Sequence, residues 1–196
     1  MGGKSLRQFL ITGENDAAAC TVTGRLCRID FDARKITIEY PTIQRELECF
    51  YNESVEDLLL EKPREFIQVT GRIILDENDN PKQIVDVEDI CEVDLSSFHI
   101  EQFECDGHTL RFRSPLTLEP ELDESKQLLC VRHPDFGIDA HAYTRGELDD
   151  VIRDQIDVLW RNYALAHNET LTPEAQRLKE NLMNALEEIP SAESET

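Results

Sequence analysis

The stretch from Leu128 to Tyr163 limits the possible folds more than any other part of the chain. A short apolar strand, Leu128-Leu129-Cys130-Val131, runs through His133-Pro134-Asp135-Phe136-Gly137-Ile138 into a helix with strong start signals. Thr144-Arg145-Gly146-Glu147 has capping-box spacing, in which the Thr oxygen accepts a first-turn N–H and the Glu side chain returns to the Thr N–H. A helix therefore begins there. Its apolar stripe comprises Leu148, Val151, Ile152, Ile156, Leu159, Trp160 and Tyr163, and Asp149, Asp150, Arg153, Asp154, Asp157 and Arg161 fall largely opposite. Strand, turn, strand and helix in that order define a small packed unit.

A second pattern precedes this one. Cys20 to Ile29 and Lys35 to Tyr40 flank Asp30-Phe31-Asp32-Ala33-Arg34, a hairpin connection, and Arg45 to Tyr51 alternates as a third strand. Glu53 to Leu60 reads as a short helix, followed by strands over Phe66 to Leu75 and Lys82 to Cys91, joined by the turn-rich Asp76 to Pro81. Five strands with one helix after the third predict a small β-barrel of the OB or SH3 type, because such a sheet must curl to bury its single apolar face. Thr23-Gly24-Arg25 and Thr70-Gly71-Arg72 place a glycine inside two of these strands, the mark of a bulge or sharp bend. A weak internal repeat is the alternative reading of the paired triplets.

At 196 residues the chain has room for two domains of ordinary size. The predicted fold class is α+β, with a flexible leader over 1–16, the barrel over 17–94, a second domain over 98–189 and a disordered polar tail over 190–196. The second domain opens with a hairpin from Ile100 to Phe112 around Asp106-Gly107, the turn that best matches strand twist. An alternating segment from Leu116 to Leu122 leads to the strand at Leu128. A final helix starts at Thr172, with Pro173 at its first position and Leu178, Leu182, Ala185, Leu186 and Ile189 on its apolar edge. This gives an antiparallel sheet with two helices.

From about Thr117 to Trp160 the chain resembles the HicB-like domain of bacterial antitoxins. The residues that carry the resemblance are Pro134, Asp135, Gly137, Ala140 and the helix start Thr144-Arg145-Gly146-Glu147-Leu148. The resemblance implies a β-β-β-α unit without catalysis that binds and blocks a small basic toxin. The chain departs from the family at Ser125-Lys126-Gln127, where glycine and aromatic residues are usual. The helix from Thr172 has only Arg177 and Lys179 as basic residues, so it does not match the family's DNA-binding module.

Charge bears on function directly. The net charge is −21; residues 16–97 carry 9 Lys and Arg against 19 Asp and Glu, and residues 98–196 carry 9 against 21, so neither half hides a basic domain. Such a surplus repels phosphate backbones and anionic membranes, which argues against broad nucleic-acid binding. The N-terminus lacks the apolar core of a secretory signal, and no stretch approaches the roughly 20 apolar residues of a membrane span, so the expected location is the cytoplasm. Six cysteines there are expected to be reduced, with Cys20, Cys27, Cys49, Cys91 and Cys130 packing as small apolar side chains.

Reaction chemistry is sparse. Cys105-x-x-His108 and Cys130-x-x-His133 have zinc-like spacing, but positions 130 and 133 of one strand point to opposite faces, so ordinary strand residues are the simpler reading. No phosphate-binding glycine loop, Gly-x-Ser-x-Gly elbow or His-Glu-x-x-His helix occurs. The expectation is a non-catalytic interaction protein without cofactor or metal that captures a basic partner protein, such as a toxin. Asp149, Asp150, Asp154 and Asp157, on the outer side of the long helix, are the candidate binding residues. The alternatives are an adaptor subunit of a bacterial assembly and a single-stranded nucleic-acid binder. The last would use Phe31, Tyr40, Phe50, Tyr51 and Phe66 with Arg25, Arg28, Arg34, Lys35 and Arg72.

Overall fold

A computed structural model describes residues 19–53, 56–59, 66–105 and 107–189. The leader over 1–16 and the tail over 190–196 lie outside the described residues. The chain divides into two compact units, one running to Val93 and including Glu124–Gln127, the other comprising Asp94–Asp123 and Leu128 onward. Among the described residues no helix is long and apolar enough to cross a membrane.

In the first unit, β1 (Cys20–Asp30), β2 (Lys35–Tyr40), β3 (Arg45–Tyr51), β4 (Phe66–Leu75) and β5 (Pro81–Glu92) form a closed barrel in the order β1-β2-β3-β5-β4. Antiparallel pairing of β1 with β4 closes it, and β3 runs parallel to β5. The two-residue period of β3 shows why the sheet curls. Leu47, Cys49 and Tyr51 turn inward and Glu46, Glu48 and Phe50 turn out, so only one face has anything to bury. Ile36, Ile38, Val69 and Ile84 are fully enclosed with them, and each such side chain contributes about 1.5–3 kcal/mol. Helix α1 (Glu56–Leu59) lies within the predicted Glu53–Leu60, of which 54, 55 and 60 lie outside the described residues, and it places Leu59 against this core.

Gly71 sits at a register shift between β4 and β5, as its position inside a strand predicts. A Cβ there would come within 2.9 Å of Ile84 Cγ2 and 3.0 Å of the Val85 oxygen, so the close approach of the two strands needs glycine. Glu124–Gln127, assigned by sequence to the second domain, instead belongs to the first unit. Thr23 N donates to Gln127 Oε1 at 3.1 Å and Gln127 Nε2 donates to the Thr23 oxygen at 2.7 Å, so one carboxamide acts as a strand neighbour to β1.

The second unit holds two three-stranded sheets, β11-β7-β6 and β10-β9-β8. Their strands are β6 (Phe98–Cys105), β7 (His108–Leu118), β8 (Glu121–Leu122), β9 (Leu129–His133), β10 (Ile138–Ala142) and β11 (Leu186–Ile189). Two helices accompany them, α2 (Arg145–Leu159), which continues as a π-turn over Trp160–Ala164, and α3 (Pro173–Ala185). The predicted hairpin extends further than its sequence pattern. Strand β7 runs on through Pro115, and the register with β6 jumps from Ile100↔Leu116 to Gln102↔Arg111, which is where a sheet tolerates a residue without an N–H.

The C-terminal end corrects another expectation. Leu186 and Ile189 do not extend the last helix but lie in β11, paired with Phe112 and Thr109 of β7. Leu186 leaves helical geometry at φ −117° and ψ 153°, its side chain is buried, and Glu187 meets Arg111 and Arg113 across the strands. Cross-strand pairing outweighs a pattern that would equally suit a helix.

The β4–β5 tip supplies a pH-dependent contact. The Asn80 N–H, the Arg45 guanidinium and the Asn78 N–H hold the Asp76 carboxyl below the usual carboxylate range. A depressed folded pKa stabilises above the unfolded value of about 4 and is lost as pH falls through the folded value. Asp76→Asn should therefore be less stable than the parent at neutral pH, with the gap closing in acid; urea unfolding across pH checks this, and a gap that persists in acid would contradict it.

Candidate functional site

Helix α2 is fixed at its start by the predicted capping box. Glu147 N donates to Thr144 Oγ1 at 3.3 Å and Thr144 N to Glu147 Oε2 at 3.1 Å. Arg145 anchors the first turn. It meets Asp94 at 3.1 Å, donates to the Ser96 oxygen at 2.7 Å and lies 3.9 Å over the Phe98 ring. Hydrogen bonds from Ser96, with help from Arg145, hold the Asp94 carboxyl low. Farther along, the Gln155 side chain accepts the Asp139 N–H at 3.1 Å, tying the helix to β10.

The four candidate aspartates do not share one face. Asp150 and Asp154 are exposed and take part in no ion pair among the described residues. Asp149 is half-buried and bonded to Arg153 at 2.8 Å, one turn on. It borders an open groove of about 450 Å³ between the start of β6 and the first half of α2, lined by Phe98, Ile100, Arg145, Gly146 and Arg153. Asp157 is the correction: it is only 3% exposed, its Oδ1 lies 3.1 Å from His108 Nε2, and its other oxygen pairs with Arg161. On an ideal helix Asp157 faces away from Leu148, but the β6–β7 hairpin end covers it there.

Val151, predicted in the buried stripe, is 38% exposed, and Val158 is 45% exposed. At 100° per residue Glu147, Asp150, Val151, Asp154 and Val158 share about 100° of arc on the outer side. The candidate surface is thus a pair of valines among three exposed carboxylates.

The other sequence candidates disperse. Among the described residues no group of three or more His, Cys, Asp or Glu side chains is arranged to hold a metal ion, so Cys105, His108, Cys130 and His133 do not converge. Cys130 is buried with its Sγ on the Glu121 oxygen, and His133 stacks on Phe136 at 4.7 Å. Cys27 and Cys91 are exposed, not packed as expected, because Cys27 lies at a register shift of β1 and Cys91 on the outer side of β5. On the barrel, Tyr40 and Tyr51 are buried while Phe31 and Phe50 are exposed. The nearby cations are largely occupied: Arg25 by Glu39, Arg34 by Glu53, Lys35 by Glu48 and Arg72 by Asp86.

No protein-family model, curated protein or solved structure matches this chain. The geometry of α2 is therefore the basis for a functional reading.

The inward and outward aspartates should differ in what they contribute. Asp157→Ala removes a buried carboxylate from a half-buried imidazole and an exposed guanidinium and should cost about 1–3 kcal/mol in denaturant unfolding, whereas Asp154→Ala should stay within about 0.5 kcal/mol. Equal effects would contradict this assignment.

Proposed function

We propose that this chain is a non-catalytic, acidic interaction module of the cytoplasm that captures a basic partner protein through the outer side of α2. The observation that carries the reading is the unneutralised pair Asp150 and Asp154 beside exposed Val151 and Val158. Uncompensated charge on a rigid helix steers a cationic partner into encounter, and the two valines give it apolar surface to cover once docked. The HicB-like resemblance supports an antitoxin-like role, in which the partner is a small basic toxin held inactive by the complex.

A second reading rests on the barrel. Its strand order and the exposed Phe31 and Phe50 favour an OB-type surface on which bases of a single strand could stack. The carboxylates already paired with Arg25, Arg34, Lys35 and Arg72 weigh against it, since phosphates would have to displace them.

The test begins with a partner co-purified from the native host and identified by mass. Reversing Asp150 and Asp154 to Lys should slow its association about tenfold and flatten the dependence of the rate on ionic strength. Unchanged rates would remove this face from consideration.

A further inference from the structure

Asp157 has no part in that outer face, yet it is a buried carboxylate set against an imidazole, and its surroundings form a chemical sequence. His108 opens β7 and is paired in register with Cys105, the last residue of β6, across the tight turn at Gly107. The next pair inward, Phe103 and Leu110, is buried. Side chains of one strand alternate between faces, so Cys105 and His108 end the same inward row, with Cβ atoms about 5 Å apart. His108 Nε2 is 3.1 Å from Asp157 Oδ1, an ion-pair approach off the N–H axis. Arg161 pairs with the second carboxylate oxygen. Thiol, imidazole, carboxylate and guanidinium thus follow one another from the hairpin into the far end of α2.

Asp157 Oδ1 lies at Nε2 and Cys105 is the in-register neighbour of His108 across the turn, which leaves Nδ1 as the ring nitrogen available to that thiol. A thiol beside a base that a third group orients is the arrangement that produces a nucleophile. Cys105 is half-buried, so a small reagent can reach it.

The chain contains its own comparison. Cys130 also faces a histidine in register, His141 of β10. There the thiol is buried, and His141 Nε2 turns to Asp139 at 2.9 Å. Burial pushes the thiols of Cys130 and Cys20 up, and that of Cys49 up to about 12.

We propose that Cys105 is a reactive thiol, with His108 as its base and Asp157 as the positioning residue, and that it is the chain's site of exchange with low-molecular-weight disulfides. In the exchange His108 Nδ1 takes the thiol proton and the Cys105 sulfur attacks one sulfur of the disulfide. The old S–S bond breaks as the mixed disulfide forms, and the departing thiolate receives the proton from the imidazolium. The small disulfide is the oxidant, one small thiol is released, and a second thiol reverses the step.

The intact chain treated with glutathione disulfide at neutral pH, with peptide mass mapping of all six cysteines over time, tests this. Cys105 should acquire the glutathionyl group about tenfold faster than the more exposed Cys27 and Cys91. His108→Asn should remove that advantage and Asp157→Asn should reduce it severalfold, each rate being read against Cys27 in the same molecule. Uptake at buried Cys49 reports unfolding of a variant, and the unsubstituted chain then decides alone. Modification of Cys27 or Cys91 ahead of Cys105, or a Cys105 rate that His108→Asn leaves unchanged in a folded chain, overturns the proposal.

Discussion

Positive charge is the limiting resource of this chain, at 20 Lys and Arg against 41 Asp and Glu, and the fold commits much of it to links between elements. Lys35 of β2 meets Glu48 of β3, Arg72 of β4 meets Asp86 of β5, Arg45 reaches Asp76 at the β4–β5 tip, and Arg111 and Arg113 of β7 share Glu187 of β11. Exposed pairs of this kind are worth about 0–1 kcal/mol each, well below the 1.5–3 kcal/mol or so of a buried Ile or Leu. They therefore help set register while apolar burial supplies stability. The carboxylates without a cation remain on outward faces, and there they define what the molecule attracts.

Helix α2 shows both outcomes within four turns. Its inner stripe, Leu148, Ile152 and Ile156, is enclosed against the sheets. Asp150 and Asp154 keep their charge in solvent, whereas Asp157 is enclosed beside His108 and meets the exposed Arg161. A buried carboxylate is retained at a cost unless it is paired, so Asp157 fixes the β6–β7 hairpin end and α2 together. That pairing brings a histidine beside Cys105, which gives an otherwise binding-oriented surface a neighbouring thiol of distinct reactivity.

Local chemistry made much of this legible. The Thr144 capping box, Pro173 after Thr172, and the β6–β7 turn at Gly107 each depend on contacts within a few residues, so the sequence alone specifies them. Among the barrel strands the third followed from two-residue alternation, and the others from β-forming segments bounded by turn residues. What escaped depends on distant partners. Leu186-Glu187-Glu188-Ile189 suits a helix until Arg111 and Arg113 lie across from it, and Asp157 looks solvated until the hairpin end covers it. Gln127 is an unremarkable loop residue until Thr23 offers it both backbone groups. Of the candidate site, the outer acids were readable from helical period, while Val151 fell at the edge of the apolar stripe and was assigned inward, and Val158 was assigned to neither side.

The central claim is that structural pairs occupy the cations and the outer side of α2 presents the acids that bind. Titration of the isotopically labelled intact chain with an oligolysine peptide, followed through backbone amide shifts, examines that claim most directly. The account requires the largest shift changes along Glu147 to Val158 of α2, with much smaller ones on the β2–β3 surface, where Lys35 already neutralises Glu48. Changes spread evenly over both units, or strongest on the barrel, would contradict it.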